Sequence, residues 1–101
     1  MKIITMCGSL KFEEDIKLHH RRLAFEGNCV IGLLPTIPNV QETPEQIELL
    51  GIEHIKKIDL SDAIFVVNKN GYIGNSVKNE IDYAREHGKE VLFLEDCEFS
   101  S

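Results

Sequence analysis

The sequence predicts an α/β domain built on one open, parallel, four-stranded sheet in the order 2-1-3-4 with helices on both faces. Three observations carry this. Four short apolar runs alternate with three stretches of helical periodicity, the first run is continuously apolar rather than alternating, and the helical stretches end in capping signals. A strand covered on both faces reads as a continuous run because both sets of side chains meet protein, and strand–helix alternation leaves a parallel sheet with right-handed crossovers as the simplest topology.

The first strand is Ile3-Ile4-Thr5-Met6-Cys7, ending at Gly8-Ser9. Lys11 to Glu26 forms the first helix, with Phe12, Ile16, His19/His20 and Leu23 at helical spacing, acids in the first turn and Arg21-Arg22 near the last. Gly27 closes it at the position where a left-handed residue is most often needed. Cys29-Val30-Ile31-Gly32-Leu33-Leu34 is the second strand, stopped by Pro35 and Pro38. Thr43-Pro44-Glu45-Gln46 combines a capping box with proline at the first helical position, so a second helix starts there and runs to about Leu60. Its inner face is Ile47, Leu50, Gly51, Ile55 and Ile58. Ala63 to Asn68 is the third strand, Asn75 to His87 the third helix, ended by Gly88, and Glu90 to Leu94 the fourth strand. Asp96 to Ser101 reads as a polar, poorly ordered tail.

One domain suffices for 101 residues, 43% of them hydrophobic, with no repeat, linker or low-complexity tract. The formal charge of -6 speaks against nucleic acid as a partner, since affinity for phosphate backbones comes from clustered Lys and Arg. Met1 to Cys7 is too short an apolar stretch for a secretory signal or a membrane span, so the expectation is a cytoplasmic protein without a membrane partner. Cys7, Cys29 and Cys97 show no metal or redox spacing and read as free thiols, the first two buried as small hydrophobes. No cofactor is expected.

Doubly wound sheets of this flavodoxin/Rossmann-like kind bind ligands beyond the carboxyl ends of the strands, where the winding reverses between strands 1 and 3. That rule selects the loops Gly8-Ser9-Leu10, Pro35 to Thr43 and Asn68 to Ser76. Gly8-Ser9 stands ahead of a helix and suits either an anion site or a plain helix cap. Asn68 to Ser76 is longer and more polar than a turn requires, which suits a binding loop. Glu80 follows in the third helix, about 65° from the centre of the Val77/Ile81/Ala84 stripe at about 100° per residue. By angle alone it is an edge residue, like Arg85, and an acid complementing the helix dipole is the commoner role there.

Asp62 stands just before strand 3, one turn after Asp59, and reads on its own as a junction residue. His54 lies on the apolar side of helix 2, where a hydrogen-bonded core histidine is the commoner role than a catalytic one. His19 and His20 point about 100° apart and cannot jointly hold a metal, so no metal site is read from the sequence. Leu49, Ile52 and Leu60 form a second apolar stripe on helix 2, which points to a partner surface, most simply a homo-oligomer.

Ile3 to Leu10, Leu60 to Val67 and Gly74 to Ala84, taken in order, resemble the nucleoside 2-deoxyribosyltransferase-like family, which includes the 2'-deoxynucleoside 5'-monophosphate N-glycosidases. The resemblance implies a nucleoside or nucleotide as the small-molecule partner. It implies Glu80 as the nucleophile at C1' of the deoxyribose, in the manner of retaining glycosidases, and Asp62 as an assistant to the sugar or leaving base. It assigns Gly8 and Ser9, with Gly74, Asn75 and Ser76, to the loops that contact substrate and its phosphate. The chain departs from the family at Thr5, where an aromatic is frequent, and at Lys78, where glycine is frequent. The same fold without the chemistry would be a nucleotide-binding or sensing module.

Overall fold

Strand β1 (Ile3–Cys7) pairs in parallel with β2 (Cys29–Ile31) on one side and β3 (Ala63–Val66) on the other. Strand β4 (Glu90–Phe93) extends the sheet beyond β3, giving the all-parallel order β2-β1-β3-β4. This is the predicted topology. The computed structural model describes residues 1–96, so Cys97 and all of the predicted polar tail but Asp96 lie outside the described residues.

Three helices link the strands: α1 (Glu13–Phe25), preceded by a 3-10 turn at Leu10–Phe12, α2 (Pro44–Asp59) and α3 (Asn75–Glu86). Right-handed crossovers must change face when the chain reverses direction across the sheet after β2. Accordingly α1 covers one face alone, where Ile16 and Leu23 meet Ile4, Met6, Ala63, Phe65 and Val67. Helices α2 and α3 share the other, where Ile58, Val77, Ile81 and Ala84 meet Cys7, Ile64 and Val66.

Local chemistry sets the helix ends. Thr43 Oγ1 accepts from Gln46 N at 3.1 Å while Gln46 Oε1 accepts from Thr43 N at 2.8 Å, the reciprocal capping box. Gly27 and Gly88 leave α1 and α3 at φ +100° and +73°, a backbone region that penalises any Cβ.

Three expectations need correction. Strand β2 ends at Ile31, and Leu33 and Leu34 leave the ladder for the wall of a cavity. Ile47 is 61% exposed and Gly51 is also exposed, because the first half of α2 projects past the carboxyl end of the sheet and has no strand beneath it. Cys29 is exposed rather than buried, because it opens an edge strand on the face opposite Val30, which packs towards α1. Among the described residues no helix is long and apolar enough to cross a membrane.

Candidate functional site

The middle of α2, from Leu50 to Lys57, roofs a cavity of about 500 Å³ at the carboxyl ends of β1 and β3. Its floor is the loop after β1. Gly8 holds φ +156°, and a Cβ there would come within 3.2 Å of Ile16 and 3.3 Å of Val67, so only glycine lets the chain turn between sheet and helix. Ser9 then caps the 3-10 turn, accepting from Lys11 N at 3.3 Å. The capping reading of Ser9 holds, and the same residue lines the cavity.

The opposite wall is the loop after β3, which the chain braces heavily. Fully buried Asn68 exchanges two hydrogen bonds of 2.9 Å with the backbone of Glu95, and Asn70, in the left-handed region at φ 56°, donates its N–H to the Glu95 carboxylate at 3.0 Å. Lys69 pairs with Asp15 at 3.1 Å. Tyr72 crosses to the β1 loop, its ring edge-on to Phe12 and 3.3 Å beneath the Lys11 ammonium. Gly74, Asn75 and Ser76 then carry the chain into α3 along the cavity.

Glu80 lies one turn further on, with its side chain 19% exposed and its carboxylate on the same cavity. Its Oε1 is 3.2 Å from Nε2 of His54 on α2, and that nitrogen is 3.3 Å from Cys7 Sγ at the end of β1. The Cys7 thiol is pushed well above its usual range, first by burial and then by the charge of Glu80 and a hydrogen bond to it. It is therefore a protonated donor rather than a reactive thiolate. His54 Nε2 is placed to donate to the same carboxylate, while Nδ1 is buried without a hydrogen-bond partner among the described residues. Glu80 is thus held by two donors from below and faces open space above.

Gly8, Ser9, Gly74, Asn75, Ser76 and Glu80, six of the seven residues singled out from the sequence, line this one cavity. Asp62 does not. It is exposed at the amino end of β3, where its Oδ2 accepts from Ile3 N at 2.8 Å and its own N–H donates to Ile3 O at 2.8 Å, the junction role that its position suggested. The cavity's second carboxylate is instead Glu53 of α2, paired with Lys57 at 3.3 Å, and Lys57 also donates to Gly32 O at 2.9 Å.

Cys7 and His54 belong to the site although the sequence places each more readily in the core. His54 satisfies both descriptions, buried yet hydrogen-bonded to the candidate nucleophile. Only the polar residue on an otherwise apolar helix face signalled it. No protein-family model matches the chain, and no curated protein or solved structure matches it either.

Proposed function

We propose that the protein cleaves the N-glycosidic bond of a (deoxy)nucleoside or nucleotide, hydrolysing or transferring the sugar, with Glu80 as nucleophile. The observation that carries this reading is the withdrawn Glu80 carboxylate, held in a cavity of the size that small ligands fill together with the two loops named from the sequence for substrate binding. Attack of a carboxylate oxygen on C1' breaks the C1'–N bond, and the base departs with the bonding electrons. Water or a second base then attacks C1' and releases the carboxylate. Hydrogen bonds from His54 and Cys7 fix which oxygen points to the sugar and make the carboxylate a better leaving group in the second step. With Asp62 remote, Glu53 is the acid nearest in place to assist the departing base.

Incubation with a panel of deoxynucleosides and deoxynucleotides should release free base, and Glu80→Gln should lower turnover by on the order of 10³-fold or more while ligand binding persists. Base release that is unchanged in Glu80→Gln removes Glu80 from the chemistry.

One observation favours a second reading, a binding or sensing module without turnover. Both His54 and Cys7 already engage the carboxylate, which costs it nucleophilicity. Binding of a nucleotide with no base released from any member of the panel is the outcome that selects it.

A homo-oligomer belongs to either reading. Leu49 and Ile52 are each 63% exposed, on the outer side of the helix that roofs the cavity. Sedimentation should give a dimer or larger at micromolar concentration, and Leu49→Glu/Ile52→Glu should shift it to monomer.

A further inference from the structure

The donor atoms beneath the cavity have a property that the glycosidic reading does not use. Cys7, His54 and Glu80 each offer one metal-ligating atom, and the three atoms lie within 4.8 Å of one another. The separations of 3.3 Å for sulfur to nitrogen and 3.2 Å for nitrogen to oxygen are close to those between neighbouring ligands of a tetrahedral zinc ion, about 3.3 to 3.6 Å when bonds of ~2.0 to 2.3 Å meet at the tetrahedral angle. They come from three separate elements, β1, α2 and α3, so the scaffold holds the set in place.

We infer that Cys7 Sγ, His54 Nε2 and Glu80 Oε1 form a three-ligand site for a divalent transition ion, best matched by Zn²⁺, with its fourth position open to the cavity. The ligand set suits the ion: a thiolate and an imidazole select a borderline-soft metal over Mg²⁺ or Ca²⁺, and three protein ligands with one free position is the pattern of an exchangeable rather than a structural zinc site. Charge suits it as well. Binding expels the thiol proton to solvent, and one thiolate plus one carboxylate then neutralise the dication, so no net charge is left in a largely buried place. An entry path exists, since His54 and Glu80 line the cavity and Cys7 lies directly behind them.

His54 sets the expected strength. When Nε2 holds the metal the ring proton sits on Nδ1, which has no acceptor among the described residues. Loss of such an outer partner lowers metal affinity ~10- to 100-fold, so the site binds more weakly than zinc sites with that support. The inference does not rest on the glycosidic reading and competes with it for one carboxylate. An ion on Glu80 Oε1 draws electron density from the whole carboxylate and sits at the floor of the cavity, so Zn²⁺ becomes an inhibitor of any base release.

The test titrates Co²⁺, then Zn²⁺ as competitor, into metal-stripped full-length protein carrying Cys29→Ser and Cys97→Ser, so that Cys7 is the sole thiol. Expected are one equivalent bound, a near-ultraviolet sulfur-to-cobalt charge-transfer band with the strong visible bands of a four-coordinate ion, and displacement by Zn²⁺. Cys7→Ser should abolish the charge-transfer band, and His54→Gln and Glu80→Gln should each weaken binding at least about tenfold. Should Cys7→Ser fail to fold, judged by circular dichroism, the other two variants carry the test. No saturable 1:1 binding, a cobalt spectrum without the thiolate band, or affinity unchanged in His54→Gln and Glu80→Gln overturns the site. Base release is assayed separately with and without chelator, so loss of that activity and loss of metal binding are independent results.

Discussion

The two faces of the central sheet are built from one alternating strand and differ in kind. On β1, Ile4 and Met6 point towards α1 into a cluster of hydrocarbon side chains, whereas Thr5 and Cys7 face α2 and α3 and begin two buried polar chains. Thr5 shares its hydroxyl with Ser61 at 2.6 Å and with Lys57 O at 3.1 Å, tying the C-terminal half of α2 to the sheet. Cys7 leads through His54 to Glu80. Interior polar groups cost stability unless each finds a partner, so the face that carries them holds groups a hydrocarbon core could have replaced. The difference teaches that one side of the sheet is packed by apolar side chains, while the other adds to its own apolar cluster the polar groups that lead to the cavity.

The sharpest way to break that comparison is to damage each face in turn. Met6→Ala opens a cavity in the α1 face and should lower stability by ~2 to 5 kcal/mol in urea unfolding. The folded fraction should keep its ligand affinity and metal binding, because Met6 touches neither the cavity nor its ligands. Thr5→Val on the other face keeps the volume and deletes one hydroxyl. Ser61 still donates to Lys57 O at 2.7 Å, so the loss should be only about 1 kcal/mol. It should show up as a looser α2, with faster amide exchange around Lys57 and weaker ligand binding. A Thr5→Val variant that behaves like Met6→Ala, losing stability without touching the site, would mean that the two faces are not divided in this way.

What was legible in the sequence follows the same division. The glycine stops at Gly27 and Gly88 and the capping box at Thr43 depend on neighbours a few residues apart, which a linear reading sees, and the strand order follows from strand–helix alternation with right-handed crossovers. Period also marks which side of α2 is apolar but not how far the sheet extends beneath it, and Ile47 lies on that side beyond the point where the interior ends. The site was legible where it is made of loops. Gly8, Ser9 and Gly74 to Ser76 follow from the switch-point rule, and Glu80 from the resemblance. Its underside was not, because Cys7 and His54 are 47 residues apart and each, alone, looks like an ordinary core residue. Asp62 shows the reverse error, a residue raised by resemblance whose hydrogen bonds to Ile3 account for it as a strand junction.

The smallest expected effect lies where the two faces are joined. The chain leaves the α1 side through the segment after β2, and Glu13 at the start of α1 holds that segment by accepting from Thr36 N at 2.9 Å and Thr36 Oγ1 at 2.6 Å. These two bonds, the hydroxyl first and the amide second, keep the Glu13 carboxyl below its usual range, because both donors favour the ionised form. A carboxyl whose pKa is lower folded than unfolded contributes stability that is present above the unfolded value and lost as the pH falls through the folded one. The tether should therefore hold at neutral pH and release only in the acid range. Glu13 is only partly covered and lies at the surface, so global stability should register little of the loss, and the readout must be local. Amide exchange across residues 35 to 43, taken relative to the intrinsic rate at each pH, should rise on acidification in the natural protein. In Thr36→Val, which keeps the amide donor but deletes the hydroxyl, exchange should already be faster at neutral pH and should rise less. Equal pH dependence in both proteins would show that this segment is ordered by its prolines and not by Glu13.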